Sequence, residues 1–201
     1  MVGASDQQSS VDGDARPVAK AAGFNSVVAV LRDDMLGADR FAAIVGRLPP
    51  ATANAIRQPP LPVQWIPCER YGDLVSTALV HAFGGDEERL VEMGRRAFLH
   101  DLKTVYRVFI KLLAPAFVIE RGTKLWLTYN RNNGVLTARR TGDRSAEVTY
   151  EKIVAVYPGF WSYQRGCLLA AVQATGFPKA TVAVARPGDA TGNATFRVDW
   201  G

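Results

Sequence analysis

The 201-residue sequence contains few of the residues that metal centres need. It has two histidines, His81 and His100, and neither has a second ligand three or four positions away, as a helical zinc site requires. No CxxC, HExxH or calcium-loop pattern occurs. We therefore expect no metal and no cofactor. Either histidine could be a lone haem ligand, but an imidazole satisfied by the protein or by solvent is the simpler interpretation.

Catalytic motifs are also missing. The sequence has no GxSxG elbow and neither of the glycine-rich phosphate loops, GxGxxG and GxxxxGK[ST]. Cys68 and Cys167 have no export signal before them, so we interpret them as buried thiols. Cys167 falls in the middle of a predicted helix, where no helix N-terminus lowers its pKa. We therefore expect that the protein has no catalytic residues and is not an enzyme.

No apolar run reaches the roughly 18–20 residues that cross a bilayer. The first residues are polar and slightly acidic, without the apolar centre of a signal peptide. This indicates a cytoplasmic protein. Residues 1–22 hold almost no large apolar side chains, so we expect a disordered tail there and a single α+β domain over residues 23–201.

Helical periodicity dominates the first 130 residues. Residues Ser26–Leu31 fit a buried strand or a first helical turn equally well. The other predictions for this half are a helix capped by Asp33 or Asp34 that ends at Leu48, an extended connector over Pro49–Pro67, a helix over Cys68–Phe83, a long helix from Asp86 to about Ala114, and a helix from Ala116 to about Tyr129.

Strand-like alternation replaces the helical period after the turn signal Asn132, Asn133 and Gly134. We predict strands over Val135–Thr141, Ala146–Val154, Thr181–Ala185 and Ala194–Trp200, with a helix over Phe160–Ala174 between the two hairpins. The predicted fold class is α+β. A helical N-terminal half packs on an antiparallel sheet formed by a C-terminal hairpin–helix–hairpin.

Large aromatic side chains form the first candidate site. Most of them are needed for the core, but some could line a cavity between the helices and the sheet, a usual position for a small-molecule site. The candidate ligand-pocket residues are Trp65, Tyr106, Phe109, Trp126, Trp161 and Tyr163.

A basic stripe on the long helix is the second candidate site. Residues 1–100 hold 10 basic and 12 acidic residues, whereas residues 101–201 hold 14 and 7. Lys103, Arg107 and Lys111 recur every fourth position, and Arg96 lies two turns before them. The stripe is either a solvated outer face or an interaction surface for a protein partner or a second copy. Nucleic acid is not expected, because aromatic residues are not interleaved with it.

Several short segments resemble one known superfamily. These segments are Trp65–Pro67 with Tyr71 and Leu74, Leu125 and Trp126 before Gly134, the helix Trp161–Gly176, and the closing Phe196–Trp200. Together they resemble the superfamily that joins 4-vinyl-reductase-type ligand-binding domains, haem nitric-oxide-binding domains and Bet3-type tethering subunits. Within it they are similar to a paralogous family of unknown function known mainly from myxobacteria.

The resemblance implies a scaffold with an apolar pocket, used as a sensory or adaptor module that pairs through helices. The sequence departs from the pattern of this superfamily at two points, and these departures narrow the ligands that the resemblance implies. Ala194 lies where zinc-binding relatives carry a cysteine, and the Tyr-x-Ser-x-Arg string that anchors haem propionates in the haem-binding relatives does not occur. Neither zinc nor haem is therefore expected.

The function expected from the sequence is a non-catalytic, cytoplasmic sensory or adaptor module that binds a small apolar ligand or a protein partner. The alternative is a purely protein-interaction subunit that uses the basic stripe. An enzyme would require a cleft that brings together Asp101, Glu120 or a histidine with a strongly shifted pKa.

Overall fold

The computed structural model describes residues 16–105 and 115–201. The first half contains β1 (Val18–Lys20), α1 (Ala21–Ala29), a π-helical segment (Val30–Leu36), α2 (Ala38–Val45), α3 (Pro50–Arg57), β2 (Trp65–Pro67), α4 (Glu69–His81) and α5 (Glu87–Val105). The second half contains α6 (Pro115–Glu120), α7 (Gly122–Tyr129), β3 (Asn130–Arg131), β4 (Val135–Gly142), β5 (Ser145–Glu151), α8 (Phe160–Gln173), β6 (Thr181–Arg186) and β7 (Ala194–Asp199).

The C-terminal half confirms the predicted α+β class. Its four strands form an antiparallel sheet in the order β4-β5-β7-β6. Alternate residues of the two central strands are buried, among them Val148 and Tyr150 on β5 and Phe196 and Val198 on β7. Helices α6, α7 and α8 cover the face that carries them. Gly134 begins the first hairpin with φ +66°, and a Cβ there would lie 2.5 Å from the carbonyl oxygen of Glu151.

The predicted boundary between tail and domain is wrong by a few residues. Strand β1 lies within the predicted tail and pairs with both β2 and β3, with Val18 opposite Pro67 and Arg131. Ala19 and Ala21 are buried. The composition argument failed because these alanines are small and still contribute to a packed interface.

Two further predictions for the first half are corrected. The segment predicted as an extended connector contains helix α3, because Pro50 occupies the first helical position, where no backbone donor is needed. The helix predicted to start at Asp33 or Asp34 instead continues from α1 through the π-helical segment. Gly37, at φ +78°, ends that segment, and α2 begins at Ala38 without an aspartate cap. The six residues from Ser26 to Leu31 are helical rather than extended.

The buried apolar residues of the described ranges form two clusters. One lies among α1, α2, α4 and α5, and the other lies between the four-stranded sheet and its covering helices. Helices α5 and α8 join the two clusters at very close range, with Gly94 on α5 and Gly166 on α8 at the contact. Tyr157 packs against both clusters. Within the described ranges, no helix is both long enough and apolar enough to span a membrane.

Candidate functional site

A cavity lies where the two core clusters meet. The volume open to the centres of water-sized spheres is about 190 Å³. One water needs about 10–15 Å³ on this measure, so the cavity has room for an organic molecule. Helices α5, α7 and α8 and the inner face of the sheet supply a wall that is mostly aliphatic and aromatic. Such a cavity is uncommon, because protein interiors are close-packed.

Most polar groups of the wall are hydrogen-bonded to the protein. The Tyr71 hydroxyl donates to the carbonyl oxygen of Lys20 at 2.8 Å, and the Trp126 indole donates to that of Gly134 at 3.2 Å. The Tyr150 hydroxyl donates to Gln164 Oε1 at 3.3 Å. These bonds turn the polar ends of the aromatic side chains toward the protein, which leaves an apolar interior.

The described residues of this apolar wall include one carboxyl group. Asp101, on α5, accepts a 2.7 Å hydrogen bond at Oδ2 from the Tyr129 hydroxyl. Burial raises the pKa of Asp101, and the Tyr129 hydrogen bond and the charge of His100 only partly oppose this. The charge of Asp101 in turn helps to raise the pKa values of Tyr71 and Cys167.

The two cysteines are free thiols, as predicted; Cys68 is buried, whereas Cys167 is only partly buried by its side-chain exposure. Burial raises the pKa of both Cys68 and Cys167 to about 12, so neither is a thiolate near neutral pH. Asn133 Nδ2 lies 3.8 Å from Cys68 Sγ, and Cys167 Sγ lies 3.6 Å from the carbonyl oxygen of Gly94. Both thiols line the cavity as weakly polar, unreactive groups.

Two of the six predicted pocket residues line the cavity, two do not, and two lie outside the described residues. Trp126 and Tyr163 line the cavity. Trp65 does not, because its ring lies between Lys20 Nζ at 4.0 Å and the Arg131 guanidinium at 4.1 Å. Trp161 does not either, because it packs beside Phe160 and against Gly188 in the β6–β7 turn. These two assignments are corrected. The other two residues, Tyr106 and Phe109, lie outside the described residues.

Several wall residues were missed in the pocket assignment from the sequence, including Tyr71, Asp101, Tyr129 and Tyr157. For Asp101 a signal was present. It follows Phe98 by three positions and precedes Leu102, so it interrupts the apolar stripe of a helix with a charged residue. The tyrosines carry no comparable signal, because a cavity tyrosine and a core tyrosine look alike in the sequence.

Only one residue of the predicted basic stripe has a described side chain. Arg96 Nε contacts Glu92 Oε1 at 2.5 Å, and the two are one helical turn apart on α5. Lys103 lies in α5, but its side chain is outside the described part of the chain, as are Arg107 and Lys111. The interaction surface therefore stays a prediction. Glu120, considered as a catalytic carboxylate, is exposed and lies outside the cavity wall.

Comparisons with known proteins show a similarity of fold to solved structures. No family model and no curated protein matches the chain. Among solved structures it is similar to an unliganded Fe(II) H-NOX protein mutant from K. algicida, at 9% identity and a TM-score of 0.69, covering 90% of this chain and 96% of that one. It is also similar to an oxygen-binding H-NOX domain related to soluble guanylate cyclases, at 12% identity and a TM-score of 0.66, covering 90% and 94%. The chain has the H-NOX fold.

Haem does not fit the described wall of this cavity. Among the described lining residues there is no histidine to ligate iron and no lysine or arginine to pair with propionates. His100 is on the helix that borders the cavity but lies outside the wall, with Nδ1 3.2 Å from Ser26 Oγ. Tyrosine can also ligate haem iron. Burial, however, raises the pKa values of Tyr71, Tyr157 and Tyr163 and so holds their hydroxyls in the neutral form.

The buried Asp101 carboxyl gives a testable pH dependence. Because its pKa is higher in the folded chain than the ordinary value of about 3.9, its ionisation destabilises the fold as the pH rises through the folded pKa. We expect Asp101→Asn to melt a few degrees higher than the wild type at pH 7, and this gain to shrink as the pH approaches 3.9. The difference in melting temperature is measured by thermal unfolding of both proteins, followed by circular dichroism at several pH values.

Asp189 provides the control of opposite sign. Hydrogen bonds from Thr191 and Asn193 lower its pKa, so its ionisation favours the folded state. Asp189→Asn should therefore lower the melting temperature at pH 7 and have a smaller effect in acid. If Asp101→Asn behaved in the same way as Asp189→Asn, the carboxyl of Asp101 would not be desolvated.

Proposed function

We propose that this chain is a non-catalytic sensory module whose ligand is a small, mainly apolar organic molecule held between the helical half and the sheet. The observation that carries the proposal is the cavity of about 190 Å³ lined by residues of both core clusters. An occupant there would contact both halves of the domain at once. Binding could then change how the halves pack against each other, which a sensor requires.

The H-NOX fold supports a binding role, because one of the similar structures is an oxygen-binding domain. The chemistry of the wall supports a different kind of ligand. The volume of the cavity exceeds what a diatomic gas needs, and the described residues of its wall do not fit haem. The thiols are protonated and the tyrosine hydroxyls are neutral, so the described residues of the wall include no activated nucleophile. Sensing without catalysis is the simplest role for such a wall.

Two measurements test this proposal. Native mass spectrometry of the purified chain should show a mass excess that disappears on denaturation. Isothermal titration calorimetry should detect binding of a neutral probe, 1-naphthalenemethanol, to protein cleared of any co-purified ligand. Absence of both signals would contradict the proposal.

A substitution within the wall should weaken probe binding. Ala171 lies on α8 at the cavity, and a leucine there would fill part of the space. We expect Ala171→Leu to weaken binding of 1-naphthalenemethanol by about tenfold or more. The matched control is Ala51→Leu, because Ala51 is exposed on α3 and is not a residue of the wall. Equal loss in both variants would contradict binding in the cavity.

The predicted protein partner, homodimer and cytoplasmic location stay predictions.

A further inference from the structure

The carboxylate of Asp101 has more acceptor capacity than the described part of the protein uses. An ionised carboxylate offers about four lone-pair sites on two oxygens. One hydrogen bond from a described residue reaches it, from the Tyr129 hydroxyl to Oδ2. The residue lines the cavity, and no described residue donates a hydrogen bond to its other oxygen.

The described wall supplies no positive charge to balance this carboxylate. The described residues that line the cavity include neither lysine nor arginine. His100 precedes Asp101 in the chain, but its ring contacts Ser26 on α1 rather than the cavity. The Tyr129 hydrogen bond and the charge of His100 offset only part of the cost of burying this carboxylate, so the described surroundings favour a cation that arrives with the ligand.

Aromatic side chains line the same cavity. Tyr71, Trp126, Tyr129, Tyr157 and Tyr163 all belong to the wall. The faces of aromatic rings attract cations, most strongly where water is excluded. The Tyr157 hydroxyl makes no hydrogen bond to a described residue and so adds an acceptor. A carboxylate among aromatic rings is a suitable environment for an organic ammonium group.

We propose that the cavity selects an apolar ligand that carries a protonated amine, with Asp101 as the residue that pairs with the ammonium group. This inference rests on the proposed function and narrows its ligand to lipophilic, preferably aromatic, amines. The apolar part of the ligand contacts the aliphatic wall from α8 and the sheet. Asp101 and Tyr129 hold its charged end at α5. A ligand with a carboxylate is disfavoured, because its charge would lie beside that of Asp101.

Three probes with one ring system test this selectivity. They are 1-naphthylmethylamine, 1-naphthalenemethanol and 1-naphthoate, which are cationic, neutral and anionic at pH 7.5. Calorimetric titration of the full chain should give binding of the amine about tenfold or more tighter than that of the alcohol, with naphthoate the weakest. Asp101→Asn should bring the ratio of amine to alcohol affinity close to one.

Asp73→Asn is the matched control. Asp73 is also a half-buried aspartate on a helix and accepts a 2.6 Å hydrogen bond from the Thr52 hydroxyl, but it lies outside the cavity wall. This variant should keep the preference for the amine. An amine that binds no better than the alcohol in the wild type, or a preference that survives Asp101→Asn, would overturn the inference and leave the proposed function standing. Failure of all three probes to bind would overturn the inference, and it would overturn the proposed function as well if native mass spectrometry also showed no mass excess.

Discussion

Replacing Gly166 with alanine should destabilise the domain by about 3 kcal/mol or more, because it forces apart two helices that pack backbone to backbone. A Cβ at this position would lie 2.0 Å from the carbonyl oxygen of Val91 and 2.8 Å from the amide nitrogen of Arg95. Both atoms belong to the backbone of α5 and cannot move without the helix. Chemical denaturation of the variant and the wild type measures the difference.

Gly46→Ala provides the comparison. Gly46 follows α2 in a right-handed conformation, and the nearest atoms to an added Cβ are 3.6 Å away, an ordinary contact. Its free energy of unfolding should change by no more than about 0.5 kcal/mol. If Gly166→Ala were equally mild, α5 and α8 would be farther apart than described, and the cavity between the two cores would have a different shape.

Replacing Tyr150 with alanine should cost about 3–5 kcal/mol. The side chain is 1% exposed and lies at the centre of the aromatic cluster on the sheet. Its ring makes edge contacts with Trp126, Trp161 and Phe196, with centroids 5.5, 5.7 and 5.9 Å away. Removal of the ring takes a partner from each of them and enlarges the adjoining cavity. Urea denaturation gives the free energy of unfolding.

Tyr150→Phe separates the ring from the hydroxyl. It keeps the three aromatic contacts and loses the 3.3 Å hydrogen bond to Gln164, so the expected cost is about 1 kcal/mol. A phenylalanine variant as unstable as the alanine variant would mean that the hydroxyl, rather than ring packing, carries the contribution of this residue.

The C-terminal half was predictable because its signals are local. The Asn132–Gly134 turn and the alternation around Val148 identify the first hairpin, and α8 begins at the predicted residue, Phe160. The errors in the first half arose where local signals conflict with packing. Prolines around Pro50 suggested a connector although one of them starts α3, and the short alanine-containing strand β1 is stabilised by two partner strands that its own sequence does not reveal.

The amino-acid sequence by itself determined the α+β class and the C-terminal hairpins, because turn chemistry and apolar periodicity depend on neighbouring residues. It also contained Asp101, a charged residue between the apolar residues Phe98 and Leu102 of α5. Only the tertiary structure decided that Tyr129, 28 positions away, donates to Asp101, and that Gly94 and Gly166 let α5 and α8 approach closely. Periodicity shows which side of a helix is buried but not which helix or strand it meets. The cavity depends on those pairings.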